Sequence, residues 1–162
     1  MLGMLLGALV LVLLLVLLVG MLLPVREQVT RVELFKAPVA EVWEALNNLP
    51  GQAQWRTGLK SVQTLDDDEG LRWVEQPLQG TAVVLRKTKE IPLQELILEL
   101  QQRGIHATRQ ARLNNVPGGT RVTFTQTLQI TMPVRRLLNR FHGGVDNRLD
   151  GFIRQLRVKF SA

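Results

Sequence analysis

From Leu2 to Leu23 every position is Leu, Val, Met, Ala or Gly, and no charge interrupts the run. At about 1.5 Å rise per residue, a helix over these 22 positions is about 33 Å long, enough to cross the hydrocarbon core of a bilayer. Twelve Leu and four Val favour insertion by roughly 5 to 10 kcal/mol. Beyond Pro24 the pattern changes to one that folds in water. Val32 and Leu34 alternate with Glu33, which predicts a strand over Val29 to Lys36. Pro38 then stands at a helix start, and Val39, Val42, Trp43 and Leu46 recur at helical spacing until Asn47 to Gly51 end the pattern.

A short second turn carries Trp55, and six further strands are predicted over Leu59 to Leu65, Leu71 to Gln76, Thr81 to Ile91, Gln94 to Leu100, Ile105 to Leu113 and Thr120 to Ile130. Their separators are turn formers: Asp66 to Gly70, Pro77 to Gly80, Pro92, Gly104, and Asn114 to Gly119. Connections this short permit hairpins and leave no room for helical crossovers. After Pro133 the period is helical again, with Val134, Leu137, Leu138, Phe141, Val145, Leu149, Phe152, Ile153, Leu156 and Phe160 on one stripe, and Gly143 and Gly144 predict a bend within it. An antiparallel sheet of about seven strands with one apolar face needs a cover, and this helix offers the long apolar stripe for it. The expected fold class is α+β, a helix-grip arrangement, with residues 1–24 as a transmembrane anchor and residues 25–162 as one domain.

The run Ala37-Pro38-Val39-Ala40-Glu41-Val42-Trp43-Glu44-Ala45-Leu46, with Trp55 and Gly58-Leu59-Lys60-Ser61-Val62 after it, resembles the opening of the START-related polyketide cyclase and lipid-transport superfamily. Pro92 between two middle strands, Gly119-Thr120-Arg121-Val122-Thr123 at the last strand and Leu156-Arg157-Val158-Lys159 in the final helix follow the same order. The resemblance covers roughly residues 29–159. It implies a helix-grip fold around a cavity for an apolar small molecule or lipid, and it does not imply a reaction.

Alternation assigns the inward faces. Ile105, Ala107, Ala111 and Leu113 share a face with Arg109; Trp73 shares one with Glu75; Val122, Phe124, Leu128 and Ile130 share one with Gln126. The cavity candidates are therefore Trp73, Glu75, Leu98, Ala107, Arg109, Ala111, Phe124, Gln126, Phe141 and Val145. A buried guanidinium or carboxylate is costly unless paired, so Arg109 and Glu75 are expected to meet each other, water or a ligand. The small side chains of Ala107 and Ala111 leave room beside them. The alternative is that these polar positions lie at strand ends and reach solvent.

The chain has 162 residues, no cysteine and two histidines. Thiol catalysis, disulfides and thiolate metal sites are excluded. His106 falls on a polar face and His142 beside the glycine pair, neither at a relay spacing to Ser or carboxylate. Asp66-Asp67-Asp68-Glu69 lacks the ligand alternation of a calcium loop, and Gly118-Gly119 precedes a strand, so no phosphate loop is formed. No catalytic set, metal site or cofactor is assigned. Of the net +6, a balance of +5 lies in residues 134–162. A basic helix face tethered beside a bilayer suits anionic head groups; nucleic acid is disfavoured because aromatics do not interleave the basic positions.

Before the apolar run there is only Met1, and no small-x-small cleavage site follows it, so a retained anchor is expected over a cleaved signal. Arg26, Arg31 and Lys36 behind the span predict a cytoplasmic domain in the cell membrane. The reading that follows is a membrane-anchored binding or transfer module for a lipid or other hydrophobic molecule. Its alternatives are a cyclase or hydrolase using Arg109 and Glu75, or a scaffold with a vestigial cavity.

Overall fold

The computed structural model describes residues 1–141 and 144–161, and of Val145 the backbone only. The apolar run forms helix α1 (Leu2–Leu22), whose side chains are almost all exposed, with Gly20 near its end buried. After it come β1 (Arg26–Phe35), α2 (Val39–Asn47), a 3-10 turn (Pro50–Gln54), β2 (Leu59–Asp67), β3 (Gly70–Pro77), β4 (Val83–Ile91), β5 (Glu95–Gln102), β6 (Ile105–Val116) and β7 (Gly119–Ile130), and then α3 (Pro133–Phe141) and α4 (Gly144–Phe160).

The seven strands make one antiparallel sheet in the order β1-β7-β6-β5-β4-β3-β2. Strands β2 to β7 form a meander, and β1 reaches the far edge through α2 and the 3-10 turn. One face of the sheet is apolar. Phe35, Leu85, Leu96, Leu113, Val122, Phe124, Leu128 and Ile130 are buried on it, and α4 lies across them with Leu149, Phe152, Ile153 and Leu156 buried. Helix α2 adds Val42, Trp43 and Leu46. Its entry is fixed by the buried Thr120 hydroxyl, which donates to the Ala37 carbonyl at 2.8 Å.

The terminal stripe departs from the expected single helix in two ways. It is divided into α3 and α4, and the bend expected at Gly143-Gly144 falls where residues 142 and 143, including His142, lie outside the described residues. Its first part also does not enter the grip. Val134, Leu138 and Phe141 are 41%, 52% and 80% exposed, because α3 packs chiefly against α1 and leaves this face of the helix uncovered. Phe141 is therefore not a cavity residue.

The contact between α1 and α3 is close. A Cβ on Gly20 would lie 2.4 Å from the Pro133 carbonyl oxygen, so no other residue fits there without moving the backbone. Arg136 donates through Nη1 to the carbonyls of Gly20 and Leu23 at 3.2 and 3.4 Å, and through Nε and Nη2 to Ile130 and Thr131 at 2.8 and 2.7 Å. It thus satisfies carbonyls that the end of α1 leaves open and ties them to the end of β7.

The basic residues of the terminal segment do not form one free face. Arg157 is paired with Glu33, Arg140 with Glu27 at 3.5 Å, and on the sheet side Arg31 reaches Asp146 and Asp150 at 3.3 and 3.1 Å. Part of the charge therefore clamps the helices to β1, in exposed pairs worth about 0.2 to 1 kcal/mol each.

Candidate functional site: a cationic cavity under the last helix

Between the sheet and α4 a cavity of about 270 Å³ remains unfilled. The strand register explains its floor. Leu98, Arg109 and Gln126 are cross-strand neighbours over β5, β6 and β7, and Leu100, Ala107 and Leu128 form the next such row. Side chains in one such row point to one face. Glu75 reaches the same space from β3, opposite Val83 of β4. The roof is α4, which presents Arg148, Gly151, Phe152 and Gln155.

Gly151 accounts for part of the volume. It sits inside α4, where glycine costs about 1 kcal/mol relative to alanine, and a Cβ built there meets nothing within 4 Å. Ala107 leaves a corresponding gap on the floor. The apolar lining is Val83, Leu100, Ile105, Ala107 and Phe152.

The polar lining is organised around Phe152. The guanidinium of Arg109 lies 4.2 Å from its ring centroid and that of Arg56 5.5 Å, a cation–π arrangement on both. The ring is itself held by Trp55 and Phe124 at centroid distances of 6.0 and 6.2 Å. Arg56 Nη1 donates to Glu75 Oε1 at 2.6 Å and to Gln52 Oε1 at 3.1 Å. Gln52 is anchored in turn by donating to the carbonyls of Ala45 and Leu46 at 3.2 Å. Arg109 Nε donates to Gln126 Oε1 at 2.9 Å. Loss of hydration pushes the Arg109 pKa down to about 10, with the Arg56 charge adding to the drop and Glu75 opposing it. Arg148, at the rim, is also lowered by partial loss of hydration. Arg109 remains a cation at neutral pH.

Of the residues expected from sequence, Glu75, Ala107, Arg109 and Gln126 line this cavity. Trp73, Leu98, Ala111 and Phe124 are buried on the same face but pack in the core rather than line the space. Phe141 is exposed, and the side chain of Val145 lies outside the described residues. Glu75 and Arg109 do not pair with each other: Arg56 claims Glu75, and Gln126 claims Arg109. Arg56, Gln52 and Gly151 escaped the sequence reading. Arg56 lies between the 3-10 turn and β2, where no periodicity assigns a face, and Gly151 is visible only as an unexplained break in helix propensity. Among the described residues no group of three His, Cys, Asp or Glu is placed to hold a metal ion.

No family model and no curated protein sequence matches this chain. Solved structures do. A START superfamily protein from Mycobacterium smegmatis superposes with a TM-score of 0.65 at 14% identity, covering 83% of this chain and 97% of its own. The chain has the START-type helix-grip fold. The Zhui aromatase/cyclase from a Streptomyces species gives 0.63 at 14% identity, covering 84% and 94%. Ara h 8.0201 gives 0.65 at 10% identity, covering 83% and 97%. Identities this low carry the helix-grip architecture and not a residue role.

Proposed function

We propose that this protein is a membrane-anchored module that binds or carries a hydrophobic small molecule in the helix-grip cavity. The observation that carries the reading is the unfilled volume under α4, bounded by Gly151 and Ala107, with an apolar wall of Val83, Leu100, Ile105, Ala107 and Phe152 facing convergent polar and charged groups. The polar and charged groups among its lining give the site places to orient a ligand's head group beside its apolar wall.

The anchor is α1. Gly20 against Pro133 and the Arg136 bonds to the end of α1 are contacts that a removed signal segment would have no reason to make. The exposed stripe of α3, Val134, Leu138 and Phe141, starts beside the anchor and carries Arg135 and Arg140 on the same helix. An amphipathic helix of this composition suits the bilayer interface, its cations toward anionic head groups. Arg26, Arg31 and Lys36 behind the span favour a cytoplasmic domain.

Native mass spectrometry of the full chain, purified in mild detergent, tests both parts. The intact mass is expected to include residues 1–23, and an apolar adduct is expected on the wild-type chain but not on Gly151→Leu, whose side chain occupies the cavity. A chain starting after the apolar run would overturn the anchor. Absence of any adduct, together with failure of added hydrophobes to bind, would overturn the cavity reading.

A further inference from the structure

The charge inside the cavity is unbalanced. Arg56 meets Glu75 at 2.6 Å and Gln52 at 3.1 Å, both through Nη1, and so takes the one carboxylate of the lining. Arg109 makes one hydrogen bond, through Nε to the uncharged Gln126. Among the described residues its Nη1 and Nη2 have no acceptor. Two guanidiniums thus face a single carboxylate, and Arg148 adds a third cation at the rim. An anion entering the cavity would bring these part-buried cations the opposite charge that Glu75 alone does not supply. A guanidinium with its outer edge free is shaped to receive two oxygens side by side.

We propose that the cavity takes a monoanionic amphiphile, with its carboxylate on the free edge of the Arg109 guanidinium and its apolar body against Phe152, Leu100 and Ala107. This rests on the hydrophobic-cavity reading above and narrows it to a ligand class. The volume limits the body. About 270 Å³ lies at the lower edge of the roughly 300 to 1,000 Å³ typical of drug-sized ligands. A single short acyl chain or a fused two-ring frame fits; a two-tailed phospholipid does not. The Nη1–Nη2 edge of Arg109 matches the two side-by-side oxygens of a carboxylate. A tail longer than the cavity has an exit, because Ile105 and Arg148 also border a neighbouring groove that continues to Leu138 and Asn139 of α3.

The test compares acids with uncharged alcohols of the same frame, decanoate with 1-decanol and 2-naphthoate with 2-naphthylmethanol. Each is titrated calorimetrically into the full chain in phosphatidylcholine nanodiscs, with empty nanodiscs as the blank. The expected result is one site, with at least one acid bound about ten-fold or more tighter than its alcohol. In Arg109→Gln the ratio of acid to alcohol affinity should fall from about ten-fold or more to about one. If circular dichroism shows that variant unfolded, Arg109→Lys replaces it. A lone ammonium cannot bridge both oxygens, so the same ratio should drop several-fold. Alcohols binding as tightly as acids, or an acid preference surviving these substitutions, would overturn the anionic-ligand proposal and leave the hydrophobic cavity standing. Failure of all four probes would overturn the cavity reading and this one with it.

Discussion

The two ends of the sheet–helix interface are built on opposite principles. Around Phe35, Leu113 and Val122 the space is filled: α2 and α4 bring Val42, Leu46 and Leu156 against the strands, and each of these side chains is at most 4% exposed. A few residues along the same strands, the row of Arg109 and Gln126 replaces aliphatic side chains with polar ones, and Ala107 and Gly151 withdraw volume from both sides. One end buries aliphatic side chains against one another, the other gives up contacts and retains the buried Glu75 carboxylate among part-buried cations. The open end is not an accident of poor packing, since the two ends share strands and the costs collect at one place.

Substitutions should divide along this line. The largest effect is expected for Glu75→Ala, which leaves Arg56 beside Arg109 with no carboxylate, and it should cost about 3 to 5 kcal/mol in denaturant unfolding. Leu156→Ala, at the filled end, should cost about 2 to 5 kcal/mol through a cavity that the neighbours cannot close. Arg109→Met should behave in the opposite sense, leaving stability unchanged or raising it by about 1 kcal/mol, because it removes a desolvated cation. The pKa shift gives the sign. A base whose folded pKa is lowered to about 10 burdens the fold while charged, below pH 10, and that burden is relieved as pH rises from about 10 into the ordinary arginine range. A plain loss of stability in Arg109→Met at neutral pH would mean that the guanidinium is structural. The smallest effect is expected for Gly151→Ala, a gain of about 1 kcal/mol from helix propensity with open space for the methyl group. A loss there would mean that α4 sits closer to the sheet than the cavity requires.

Strand alternation made most of this legible in the sequence. The period of two placed Glu75, Arg109 and Gln126 inward, and turn residues marked every hairpin of the meander. What alternation does not give is partner choice. Arg109 and Glu75 share a face, yet the pairing is set by Arg56, which enters from a segment without periodicity. Helical spacing likewise put Phe141 on the same stripe as Phe152, but a stripe records only that a face is apolar. Whether sheet, second helix or bilayer covers it depends on tertiary placement, and α3 turned to α1. Gly20 belongs with these: its spacing carries no signal, and its role appears only when Pro133 is set against it.

The most direct test of the central claim uses methyl-labelled full chain in nanodiscs, titrated with decanoate and followed by NMR. Saturable shifts are predicted at Val83, Leu100 and Ile105 around the open end, with Leu46, Leu113 and Val122 at the filled end unmoved. Shifts confined to Val134 and Leu138 on the outer face of α3, or no saturable shift at all, would contradict a ligand site beneath α4.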